Sequence, residues 1–234
     1  MNNLLDPNIS LHTESHVYSL SNRSDIAFTS VTTFVDQFFE KFDAEKIANK
    51  LVNTHPKYLG RTVSSLLGDW EKARQHGTNV HQQIEDWIKK DIEPIEAQSI
   101  SGVGWIRDYK KLNNIELFSE VIVYSIELGI AGTIDLLALN KSTNQYEIVD
   151  WKTSKKINKE SFNRKVGIKP ESKKIMDCNY YHYALQLSLY RYILEQYYDL
   201  QIQNQIIIQL QSDRANEYEL PYMENNIKEM LGVN

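Results

Sequence analysis

The sequence predicts an α/β fold, a central mixed sheet flanked by helices, on three observations. Residues 115–126 and then 130–152 read as three successive strand-like runs separated by short turns. Residues 60–112 instead carry apolar side chains at helical spacing, with Leu66, Leu67, Trp70, Val80, Ile84, Trp87 and Ile88 as core candidates. Further on, a tyrosine-rich helical run at 180–198 is followed by another strand at 203–210. At 234 residues with 41% hydrophobic content, the chain can bury a substantial core, and one domain spanning residues 1–234 is predicted. Its helical N-terminal part covers about residues 30–112 and its core about residues 113–211.

In chain order, Val17-Tyr18-Ser19-Leu20 and Ile26-Ala27-Phe28 look like two short strands around a polar turn. Ser30-Val31-Thr32-Thr33 then opens a helix carrying Phe34, Phe38, Phe39 and Phe42, with Ser30 or Thr32 as the N-cap. Such a capped end either holds a phosphate or serves only as a cap. Pro94 and Gly102 interrupt the helical pattern and mark loops. A short helix at 223–231 closes the chain. There are no internal repeats and no low-complexity linker.

The most informative stretch lies inside the strand block. Gly132-Thr133-Ile134-Asp135 is followed, after the polar segment 140–145, by Glu147-Ile148-Val149-Asp150-Trp151-Lys152-Thr153. Strand alternation sets Ile148, Asp150 and Lys152 on one face and Glu147, Val149 and Trp151 on the other. A hairpin symmetric about the polar segment places Asp135 opposite Asp150, with Cβ atoms about 4.5–5.5 Å apart. Like charges that close destabilise a sheet unless a cation sits between them. A divalent metal with Lys152 beside it would be that cation. A second hairpin about residues 127–128 sets Glu120 opposite Asp135, although a one-residue slip would send it to the other face. Oxygen ligands suit Mg²⁺ or Mn²⁺, and such an ion activates water and offsets charge on a phosphodiester. Lys152 then either orients the water and steadies the phosphate, or is an ordinary ion-pair partner of Asp150.

In these residues the chain resembles the PD-(D/E)XK nuclease superfamily, in particular its RecB-like exonuclease branch. Three further segments support the likeness: His76-Gly77-Thr78-Asn79-Val80-His81, resembling a Gly-Thr-x-x-His element; Glu120, an acidic residue ahead of Gly-x-x-Asp; and Gln186-Leu187-Ser188-Leu189-Tyr190, resembling Gln-x-x-x-Tyr. The set covers roughly residues 76–210. The resemblance implies a restriction-endonuclease-like core and closest likeness to phage-type exonucleases and the mitochondrial genome maintenance exonuclease. It implies metal ligation by His81, Glu120, Asp135, Asp150 and the backbone carbonyl of Trp151, with one or two Mg²⁺ or Mn²⁺ ions. Catalytic roles fall to Asp135, Asp150, Lys152, Gln186 and Tyr190, the last two contacting the lysine and the nucleic-acid backbone. Glu85, one turn beyond His81, either orients it or is simply an exposed glutamate. Ser30, Thr32, Thr153, Lys155, Lys156, Arg164, Lys165 and Tyr190 are the nucleic-acid-binding candidates. The implied activity is a Mg/Mn-dependent DNA exonuclease acting on single-stranded or end-containing DNA, in repair, recombination or phage DNA processing. The alternatives are a structure- or sequence-specific endonuclease on the same fold, or a non-catalytic nucleic-acid-binding protein that keeps it.

Charge distribution adds to this. Net charge is −5, against bulk-electrostatic binding, yet residues 152–174 hold nine basic and two acidic side chains. That segment either grips phosphates, in a salt-sensitive way, or is a solvated loop, or is a loop that orders on nucleic acid. The single cysteine, Cys178, reads as a reduced structural thiol. One cysteine cannot hold the four-cysteine iron–sulfur cluster of some RecB-like relatives, so no cluster is expected. No apolar run approaches membrane-crossing length, and the N-terminal residues lack a signal-peptide pattern. A cytoplasmic monomer in a bacterium or phage-infected cell, with DNA as its partner and no membrane, is the expectation.

Overall fold

A computed structural model describes residues 2–233 apart from Asn113, on which the predicted start of the core falls. Its centre is a six-stranded mixed sheet built on β5 (Ile130–Asn140). β4 (Ile115–Ser125) pairs antiparallel along one side of β5. The other side is shared: β3 (Thr29–Ser30) runs parallel against Ile130 and Ala131, and β6 (Gln145–Lys152) pairs antiparallel from Leu136 to Asn140. Among the described residues, positions 132–135 therefore have a sheet neighbour only on the β4 side, which opens a notch in the sheet at Asp135. β7 (Ile202–Leu210) extends the sheet parallel to β6, and β8 (Ala215–Glu219) ends it antiparallel.

Two helical layers cover the faces. On one side lie α3 (Val63–Lys90) and α4 (Ala97–Leu112). They bury Val80, Ile84 and Ile106 against Leu136, Val149, Trp151 and Ile208. α3 starts where Thr62 accepts the Ser65 N–H and ends with Lys89 and Lys90 near the helix C-terminus, at a left-handed Asp91. On the other face α1 (Val31–Asp36), α5 (Asn179–Tyr197) and α6 (Glu224–Leu231) enclose Ile134, Leu137, Ile148 and Ile207. α5 is apolar nearly all round, from Ala184 to Leu194, because the sheet, α1 and α6 all pack on it.

Several elements differ from the sequence expectation. The partner of β2 (Val17–Leu20) is β1 (Ile9–His12), not residues 26–28. Those residues run irregularly into β3, and Ile26 and Phe28 pack beneath the hairpin. α1 has six residues and carries only Phe34 of the four phenylalanines predicted for it. Phe38 and Phe39 enter the core beyond its end, while Phe42 stays exposed against Trp70. Gly102 does not break α4: a Cβ there would lie 2.7 Å from Ile84 Cδ1, so the glycine permits close approach to α3. α2 (Ala44–Thr54) and β8 had no specific signal in the sequence reading. No described helix is long and apolar enough to cross a membrane.

Candidate metal centre

The register at the notch follows the predicted hairpins. Leu136 faces Val149, so Asp135 and Asp150 stand one position past the last β5–β6 pair. On the other side Ser119 faces Leu136 and Val121 faces Ile134, leaving Glu120 level with Asp135 but unpaired. Glu120 adopts a left-handed backbone (φ 53°), a conformation costing a non-glycine residue about 1–3 kcal/mol and common at functional sites. The strand is thus distorted at the one position where it offers a carboxylate to the notch.

The fourth element is α3. His81 Nδ1 lies 3.3 Å from Asp135 Oδ2, and the same oxygen accepts the Trp151 N–H at 2.9 Å. One ligand atom each from His81, Glu120 and Asp135 falls within 4.8 Å of the others. Asp150 stands outside that trio: its Oδ2 lies 2.5 Å from Lys152 Nζ, yet it is buried and has no aligned hydrogen bond. The lysine ammonium also sits 4.6 Å above the Tyr183 ring. Tyr183 is the neighbour the sequence reading missed. It shares a helix face with Gln186 and Tyr190, three and seven residues on, which was the available signal.

Electrostatics mark the centre as short of positive charge. Burial, together with the charges of Asp135 and Glu85, pushes the Glu120 carboxyl up to about 8. Burial likewise raises Asp150 to about 6, partly countered by Lys152. Burial disfavours charge on His81, but the Asp135 carboxylate outweighs it and lifts the imidazole to about 9. Burial disfavours the Lys152 ammonium too, and Asp150 and Asp135 more than compensate. Neutralising such a cluster without protons calls for a cation, and hard oxygens with one imidazole suit Mg²⁺ or Mn²⁺. The His81, Glu120 and Asp135 donor set fits such an ion.

Supporting residues are held tightly. Tyr190 is buried on α5, with its ring against β5: a Cβ on Gly132 would lie 2.6 Å from Tyr190 Cε1 and 2.9 Å from Val31 Cγ2. Burial raises the Tyr190 phenol far above its usual range, with Gln186 beside it working the other way. Gly77 approaches Thr153, whose Oγ1 would stand 3.1 Å from a Cβ there. Tyr18, on the N-terminal hairpin, bonds Thr133 Oγ1 at 3.0 Å and was not singled out in the sequence. Glu85 does not orient His81; it holds Lys89 at 2.7 Å and accepts from Gln82. Ser30 Oγ accepts the Thr33 N–H as the N-cap, while Thr32 is exposed beside it. Lys155, Lys156 and Arg164 are exposed, and Lys165 pairs with Glu40 at 2.5 Å. Cys178 is buried and free at the start of α5.

Fold and site together define a protein with a carboxylate, histidine and lysine metal centre set in a notch of a mixed sheet. The sequence profile of the PD-(D/E)XK nuclease superfamily matches residues 31–229, and the chain belongs to that superfamily. Membership points to nucleic acid as substrate and to a divalent metal as cofactor. No curated protein matches the chain. Among solved structures, one described as "Crystal structure of SSO0001" is 16% identical over 88% of this chain and 73% of that one, with a TM-score of 0.37.

Proposed function

We propose that this protein is a RecB-like, metal-dependent DNA exonuclease that works on single strands or free ends. The observation behind this reading is the convergence of His81, Glu120 and Asp135 beside the Asp150–Lys152 pair. Asp135 and Asp150, with His81, Glu120 and the Trp151 carbonyl, would hold one or two ions. A bound Mg²⁺ or Mn²⁺ lowers the pKa of water and offsets phosphate charge. Lys152, held between Asp150 and the Tyr183 ring, would place its protons toward the attacking water or the non-bridging phosphate oxygens. Tyr190 wedges α5 against Gly132, and with Gln186 fixes the helix that carries Tyr183. Ser30, Thr32, Thr153, Lys155, Lys156, Arg164 and Lys165 would track the backbone of the strand. A single domain acting as a monomer in the cytoplasm, in repair, recombination or phage DNA processing, accords with this reading.

The test is a cleavage time course on end-labelled single-stranded and duplex DNA. Chelator-stripped protein is compared with Mg²⁺ and Mn²⁺ additions and with Lys152→Ala. Metal-dependent shortening from an end, lost in the variant, is expected. Internal cuts in circular DNA would move the reading to an endonuclease, and binding without cleavage to a non-catalytic clamp.

A further inference from the structure

Beyond the metal centre, the segment that leaves Lys152 and returns at α5 has two properties in combination. The first is unneutralised charge. Among the described residues, only Lys152 and Lys165 of its nine basic side chains pair with a carboxylate. Elsewhere, ten of the seventeen remaining Lys and Arg side chains pair with one. The second is exposed apolar surface: Phe162 is 77% exposed, and Val166, Ile168 and Met176 are exposed nearby.

The excursion is a built structure. The Asn179 side chain bonds both Lys156 O and the Asn158 N–H at 2.8 Å. Further along, Ile168 N and Ser172 Oγ both donate to Phe38 O at 2.8 Å. Gly167 packs so closely on Ser172 that a Cβ would overlap it. Between these anchors Asn163 and Arg164 take consecutive left-handed conformations (φ 55° and 56°), which two non-glycine residues adopt only at a cost. The turn holds Phe162 out to solvent, with Lys159 and Arg164 flanking it in sequence and Lys159 itself over the Tyr180 ring.

An aromatic face amid unpaired cations fits an anion that also carries planar apolar groups. We infer that Phe162 is a base-stacking subsite for single-stranded nucleic acid, with Lys159 and Arg164 on the flanking phosphates. Bases in a duplex already stack on each other, so this subsite favours single strands. Phe162 lies within about 35 Å of Lys152 by chain reach, a distance that one strand could span. The inference rests on the proposed reading of that centre as acting on nucleic acid.

The experiment measures binding by the full chain in chelator, where no cleavage occurs, using fluorescence anisotropy. The probes are a labelled oligothymidylate, the same strand with abasic sites, a matched duplex, and phosphatidylserine vesicles. Phe162→Ala should weaken oligothymidylate binding about five- to a hundredfold, leave abasic-strand and duplex binding unchanged, and be rescued by Phe162→Tyr. Equal loss on normal and abasic strands, no loss at all, or no binding of single strands by the unaltered protein would overturn it. So would an effect confined to vesicles, which would make the patch a lipid contact. Stacking through Phe162 by a protein that cuts nothing would sink the nuclease reading alone. Cleavage by a protein indifferent to Phe162→Ala would sink this inference alone.

Discussion

Lys152 and Lys155 are three residues apart and live in opposite worlds. Lys152 is 17% exposed in its side chain, pressed on Asp150 and lying over Tyr183. Lys155 is exposed with no carboxylate partner among the described residues. The first belongs to a site whose charges are buried, in mutual contact and fixed in place by β5, β6 and α3. The second belongs to an excursion whose charges face water uncompensated. Burial makes an interaction strong and geometrically definite, as bond-breaking chemistry requires. Exposure without a partner leaves a long-range field, which attracts and holds a polyanion but orients nothing closely. On the proposed function, chemistry and capture divide along that one difference in solvation.

Lys152 is where the two regions part most widely. Lys152→Ala should reduce metal-dependent cleavage by about 10²–10³-fold, the scale for removing one transition-state donor, while single-strand affinity in chelator changes little. A gel-based rate measurement paired with anisotropy separates the two, and equal losses in both would merge the regions the structure keeps apart.

Next in size is the packing under the centre. Gly132→Ala forces a methyl into the Tyr190 ring and Val31, and overpacking of this kind costs about 1–3 kcal/mol. Thermal melting should show the loss, and Tyr190→Leu in the same chain should restore part of it. A fully stable single variant would mean that α5 is not wedged on β5.

Metal binding should stabilise the chelator-stripped protein by about 2.7 kcal/mol when Mn²⁺ stands at 100 times its dissociation constant. Asp135→Asn should abolish that rise in melting temperature, whereas Lys155→Ala should leave it intact. Loss of the metal shift in Lys155→Ala would contradict the separation of the two regions.

Capture should show the smallest single-residue effects. Lys155→Ala, Lys156→Ala and Arg164→Ala should each lower the slope of log affinity against log salt by about 0.7 on single strands. Glu40→Gln, which releases Lys165 from its exposed ion pair, should strengthen binding slightly and leave stability nearly unchanged. Salt titrations of the variants check both, and flat slopes would remove the loop from the DNA path.

Much of the site's layout was legible because it is local. The period of two along β6 and the symmetry of the two hairpins foretold the levels of Asp135, Asp150 and Glu120, since register follows from turn position. The same locality carried β4, β7, α5 and α6 to within a residue or so. Where identity of the partner depends on packing, the reading faltered. Gly102 looked like a break because glycine weakens an isolated helix, but its missing side chain is what lets α4 approach Ile84. Residues 26–28 looked like a strand because they are apolar, yet they pack under β1 and β2 without pairing.

The sequence by itself determined the strand order of the catalytic block, the spacing of its carboxylates and lysine, and the charge of the segment after it. These depend on periodicities of a few residues and on counting. Only the tertiary structure decided that His81 Nδ1 stands 3.3 Å from Asp135, that the Tyr183 ring lies under Lys152, that Tyr190 needs Gly132, and that Phe162 stands exposed among unpaired cations. Each joins segments tens of residues apart or turns on solvent exposure. Both are set by how the layers pack, through dense contacts that no local pattern encodes.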